Sequence, residues 1–96
     1  MRKYHLTSRA DVDLDEIVDF IAKDNIEAAI TVEERLTHTF EMLGNNPKIG
    51  RERPDLDYGL RSFPVDSYIV FYRAWSSEVL IVRVLHAARD IDAIFS

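Results

Sequence analysis

The chain has 96 residues, 47% hydrophobic and 30% charged, with 3 glycines, 3 prolines and no cysteine. Such a composition fits one globular domain over residues 1–96 and excludes a collagenous or disordered chain, a disulfide framework, a Cys-ligated zinc and a thiol nucleophile. Lysine and arginine number 12 against 17 aspartates and glutamates, a net charge of −5, which works against sequence-independent nucleic-acid binding, since that runs on basic contacts to phosphate.

Lys3 to Thr7 reads as a short strand with Tyr4 and Leu6 on one face. Thr7 or Ser8 then offers a capping hydroxyl, and Asp11, Asp13, Asp15 and Glu16 crowd the first two turns of a helix. Ala10, Leu14, Ile17, Val18 and Ile21 give that helix one apolar stripe, ending near Lys23. Asp11, Asp15 and Asp19 line another side at i, i+4 spacing and read as a solvated face. Asp24 and Glu27 have the spacing of a capping box and open a second helix with the stripe Ala29, Val32, Leu36, Phe40 and Leu43; Gly44 reads as its stop. Two such helices form an αα-hairpin.

From Gly44 to Gly59 the periodicity dissolves into a long loop holding all three glycines and two of the three prolines. Beyond it the period changes to two. Leu60 to Val65 is a strand with Pro64 marking an edge or an end. Ser67 to Trp75 is a second, rich in aromatic and β-branched residues. Ser76-Ser77 supplies a hairpin turn, and Glu78 to Leu85 is a third strand, apolar on both parities apart from Arg83. Ile91, Ile94 and Phe95 form a last helical turn able to dock back. The expected fold is α+β, in the order β-α-α-β-β-β, with an antiparallel or mixed sheet and the αα-hairpin packed on one face. The first strand must join beside a later one, because alone it has no hydrogen-bonding partner. The second sheet face also needs a cover, either a partner chain or the chain's own loop and tail.

No apolar run approaches the roughly 18–20 residues of a membrane span. The opening residues lead into charged sequence rather than an apolar signal core, so a cytoplasmic protein is expected. His5, His38 and His86 lack metal-ligand spacing, and the glycines are too far apart to cradle a phosphate, so no metal and no cofactor is expected. RNA cleavage would need a base, an acid and cations on the phosphorane. His86, Tyr72, Arg83 and Arg89 have suitable chemistry, with Arg61 and Arg73 as further phosphate clamps. Each also has a structural reading: His86 capping the strand end, Arg83 paired to an acid such as Asp90, and Tyr72 a sheet aromatic with its hydroxyl at the rim. The second half of the chain holds no lysine and offers no net positive field to a phosphate-dense target.

Several strings occur in an order and spacing that resemble the ParE/RelE superfamily of toxins from type II toxin–antitoxin modules. They are Tyr4-His5-Leu6-Thr7, Asp13-Leu14-Asp15-Glu16-Ile17, Asn46-Pro47-Lys48-Ile49-Gly50-Arg51, Gly59-Leu60-Arg61-Ser62-Phe63-Pro64, Tyr68-Ile69-Val70-Phe71-Tyr72-Arg73 and Arg83-Val84-Leu85-His86-Ala87-Ala88-Arg89-Asp90. The last string and the short C-terminus look more like the ParE branch. The resemblance implies a growth-arresting, non-enzymatic inhibitor of DNA gyrase, neutralised in a hetero-oligomer by a cognate ParD-like antitoxin, with no membrane and no direct nucleic-acid partner; on that ground we favour the antitoxin as the cover of the second sheet face. Arg61, Arg73, Arg83, His86 and Arg89 are then the candidates for contact with target or antitoxin, and replacing Arg83 and Arg89 is expected to weaken toxicity with the fold intact. The RelE branch implies instead a ribosome-dependent endoribonuclease, with His86, Arg83, Arg89 and Tyr72 as catalytic candidates. A third reading is a non-toxic module that binds its partner and regulates their operon.

Overall fold

The structure, a computed structural model, describes residues 3–96. Tyr4–Leu6 forms β1, after which Thr7 stays extended and its hydroxyl oxygen accepts the Ala10 N–H at 3.0 Å, opening α1 (Ser8–Ala22). The cap satisfies one of the N–H groups that a helix start leaves without a partner. The second helix, α2 (Ile26–Asn45), is capped by Asn25, which accepts from Ala28 N–H, and not by Asp24 as the capping-box spacing predicts.

Gly44 does not stop α2. It lies buried inside the helix, where an added Cβ would come within 2.7 Å of the Lys3 carbonyl oxygen. Close approach to the backbone leading into β1 therefore explains the glycine. Asn46 caps the end of the helix, its N–H donating to the Met42 and Leu43 carbonyls, and Pro47 follows.

The expected loop contains a strand that the periodicity did not reveal, β2 (Arg51–Glu52), antiparallel to β3 (Leu60–Val65). Then come β4 (Tyr68–Trp75), β5 (Glu78–His86) and a short α3 (Ile91–Phe95) capped by Asp90. Asp66 and Ser76, in the two hairpin turns, have φ of 53° and 57°, the left-handed backbone that tight connections between right-twisted strands call for. The sheet order is β1-β5-β4-β3-β2, with β1 parallel to β5 and the other neighbours antiparallel.

On one sheet face Leu36 and Phe40 of α2 and Ala10 of α1 pack with Val70, Tyr72, Val79, Ile81 and Val84. A bulge explains why β5 reads apolar on both parities. Phe71 pairs with Arg83 and Tyr72 with Ile81, so Val82 is an extra residue and the inward parity passes from Val79 and Ile81 to Val84. On the other face Leu60, Phe71 and Leu85 are covered by Leu56 of the loop and by Ile91, Ile94 and Phe95 of the tail. The chain thus closes that cluster itself, where we favoured a partner chain. Apolar side chains spaced to one side of α3 let a single turn of helix do it.

Candidate functional site

Because β1 ends at Leu6, it pairs with β5 only as far as Ile81. Further along, side chains of the following helix serve the exposed strand edge. The Thr7 hydroxyl donates to the Val82 carbonyl at 2.9 Å, and Asp13 Oδ2 accepts the Val84 N–H at 3.0 Å. The same carboxylate takes Arg83 Nε at 2.7 Å and Nη2 at 3.0 Å. Asp13 is 5% exposed, and this fork-on-fork geometry with a further backbone donor offsets the desolvation of both charges.

Beside this pair runs a groove of about 390 Å³ between α1 and the far end of β4–β5, with Ile17 and Phe20 on one side and Tyr68, Leu85, His86 and Arg89 on the other. His86 packs edge-on against Tyr68, ring centroids 5.4 Å apart, and its Nδ1 accepts the Ala88 N–H at 3.0 Å. A ring that accepts at Nδ1 carries its proton at Nε2, so the neutral imidazole presents a donor. Arg89 reaches no hydrogen-bond or ion-pair partner with its guanidinium among the described residues. Phe20 is 72% exposed.

The other candidates lie elsewhere and are occupied. Arg61 donates to the carbonyls of Gly50 at 2.7 Å and Lys48 at 3.2 Å. Arg73 pairs with Asp57 and donates to the Tyr58 carbonyl. The Tyr72 hydroxyl is not at the rim: the residue is fully buried, accepting from Gly50 N–H and donating to the Pro47 carbonyl, each at 2.8 Å. Burial holds its phenol pKa above the ordinary 10.0, against the opposing pull of the Gly50 N–H and the Arg61 charge. Three side chains expected at a site instead hold the two halves of the 46–59 segment on the sheet.

A family model described as the ParE toxin of type II toxin–antitoxin systems, parDE, matches residues 4–91. This chain belongs to that family. It is similar to Toxin ParE1 of Caulobacter vibrioides, at 34% identity over 94 residues and 97% of each chain. Toxin ParE3 of the same organism matches at 33% over 82 residues, covering 84% of this chain and 82% of the relative. Toxin ParE1 of Mycobacterium tuberculosis is 30% identical over 92 residues, 94% of each. The fold is shared with a chain of the chromosomal ParDE system of P. aeruginosa, TM-score 0.73 at 22% identity, covering 90% of this chain and 96% of that one.

In this ParE-family chain the sequence candidates divide into two sets. His86 and Arg89 line the groove, and Arg83 adjoins it through Asp13. Arg61, Arg73 and Tyr72 belong to the loop clamps. Arg83 pairs with Asp13 and not with Asp90, whose carboxylate caps α3. Asp13 and Phe20 are groove residues that sequence reasoning missed. The signal for Asp13 was present: it falls between Ala10 and Ile17 at i+3 and i+4, a carboxylate on the buried side of α1. For Phe20 it was the inverse, a large aromatic beside Asp19 on the solvated side.

Proposed function

We propose that the chain is a toxin that inhibits DNA gyrase by binding, without cleaving RNA, and that a ParD-like antitoxin neutralises it in a hetero-oligomer in the cytoplasm. Membership of the ParE family supports the gyrase target, and the similarity to a chain of the ParDE system of P. aeruginosa supports the antitoxin.

The observation that carries the non-enzymatic reading is the fate of the RNase candidates. Tyr72 buries its hydroxyl between Gly50 and Pro47, and Arg83 is bound to Asp13. His86 and Arg89 remain, one imidazole and one guanidinium. Phosphoryl transfer with cleavage needs both an acid and a base placed about a phosphorane, and a chain with net charge −5 does not draw a polyanion to them.

Purified protein added to a gyrase supercoiling reaction tests this, run beside ribosome-dependent cleavage of a translated message. Inhibition of supercoiling with the message intact is expected. Position-specific cleavage at substoichiometric toxin, with gyrase unaffected, would overturn the proposal in favour of the endoribonuclease. Inactivity in both assays would leave only the operon-regulating module.

A further inference from the structure

We infer that Trp75, Glu78 and His5, clustered where the β4–β5 hairpin meets β1, form the seat for an arginine side chain on the surface of the toxin's protein target. The guanidinium stacks on the Trp75 ring and pairs with the Glu78 carboxylate. This rests on the gyrase reading above and adds where, and by what chemistry, the target is held.

The sheet register brings the three side chains to one face. Tyr4 is buried in the core beneath the helices, so His5, its neighbour in β1, lies on the opposite face. Trp75 shares the parity of Phe71 along β4, and Glu78 stands directly across from Trp75 in the ladder. The loop and tail cover this face at Leu60, Phe71 and Leu85. Four residues along β4 from Phe71, Trp75 leaves 59% of its surface in water.

The cluster holds itself in place. His5 Nε2 donates to Glu78 Oε2 at 2.7 Å, and the imidazole meets the indole edge-on, ring centroids 6.4 Å apart. Glu78 Oε1 has no hydrogen-bond partner among the described residues. An aromatic face is the negative side of the ring quadrupole, and a carboxylate beside it adds a full negative charge. A planar cation that both stacks and donates hydrogen bonds satisfies the two together, which is the guanidinium rather than the compact ammonium of lysine. An enzyme that handles DNA carries such side chains because it must neutralise phosphates. The net charge of −5 on this chain draws it toward a basic surface and away from a second copy of itself.

The test measures inhibition of purified DNA gyrase, in the supercoiling reaction, by the wild-type protein and by Trp75→Leu, Trp75→Phe and Glu78→Gln. Trp75→Leu keeps an apolar side chain without the ring and should need about tenfold more protein for half-inhibition, Trp75→Phe only about threefold more. Glu78→Gln should need about fivefold more, and added salt should weaken the wild type more than this variant. Melting temperatures should coincide, because Trp75 is exposed and the His5–Glu78 pair faces solvent. Should Trp75→Leu unfold, the salt response of Glu78→Gln decides alone, and a response equal to wild type overturns the seat. Full inhibition by a folded Trp75→Leu also overturns it, since an apolar contact then suffices, and leaves the gyrase reading standing. A wild-type dimer that Trp75→Leu abolishes gives the patch to a second copy and overturns the seat as well. No inhibition by the wild-type protein overturns the gyrase reading, and the seat with it.

Discussion

Asp13 and Arg83 stand 70 residues apart in sequence and share two hydrogen bonds, at 2.7 and 3.0 Å, in a setting where neither side chain is more than 14% exposed. The carboxylate that holds the arginine also finishes the hydrogen bonding of a strand whose neighbour has ended, through the Val84 N–H. One side chain on α1 therefore does the work of the next residue pair in the β1–β5 ladder, and it fixes the helix over the wall of the groove.

Replacing Asp13 by Ala should destabilise the protein by about 3–5 kcal/mol, because a largely buried guanidinium and a backbone N–H both lose their acceptor. The double replacement Asp13→Ala with Arg83→Met should recover part of that. Chemical denaturation of the three proteins gives the cycle; a loss below about 1 kcal/mol in Asp13→Ala, the size of an ordinary substitution, would mean the pair is immaterial to the fold. The same geometry makes Arg83→Ala a stability variant, contrary to the expectation that it spares the fold, so only Arg89 probes contact cleanly.

Tyr72→Phe should cost about 1–3 kcal/mol, since Gly50 N–H is left buried without an acceptor. Hydrogen exchange at Gly50 should quicken in the variant, with the helices unaffected. The pH dependence adds a second readout. Below the ordinary phenol pKa of 10.0 both folded and unfolded chains hold the proton. Above it the unfolded chain releases its proton first, because burial raises the folded value, so stability falls as pH rises until the folded phenol ionises too. Tyr72→Phe should show a shallower alkaline fall; equal slopes in the two proteins would contradict the burial.

Gly44→Ala should destabilise by about 1–3 kcal/mol despite the higher helix propensity of alanine. Its Cβ would meet the Lys3 carbonyl at 2.7 Å, a backbone atom that cannot swing aside. Were Gly44 merely a helix stop, alanine would be neutral or stabilising, and thermal melts separate the two.

Phe95→Ala should lose about 1–2 kcal/mol, from the ring pair with Phe71 at 4.8 Å and from partial exposure of Leu60 and Leu85. Dye binding to exposed apolar surface should rise with it. An unchanged melting temperature would show that α3 is not the cover of that face.

What could be read in the sequence was what repeats. The apolar stripes of α1 and α2 and the alternation of β3 and β4 report local geometry through their spacing, and the observed elements follow them. A two-residue strand such as β2 has no period to detect, and Gly44 carries the same letter whether it ends a helix or lies against another strand. The site was less legible because its geometry depends on residues far apart. Arg83 was visible as a charge among apolar neighbours, but its partner is on a helix near the other end of the chain. Tyr72 looked like any sheet aromatic until the loop residues Pro47 and Gly50 were placed around its hydroxyl. The bulge at Val82 turned an apparently two-faced strand into one that changes face part-way.

The parallel pairing of Tyr4 with Val79 sets the order in which this molecule can be made. A ribosome delivers the first strand and the helical hairpin early, and β5, which must slot between β1 and β4, almost at the end. Pairings across so great a sequence separation are slow to form and leave strand edges open meanwhile. A chain cut short before residue 79 has no partner for its first strand, no Arg83 for Asp13 and no far wall to the groove. Incomplete translation products thus lack both the sheet that anchors β1 and the ion pair that ties α1 to it.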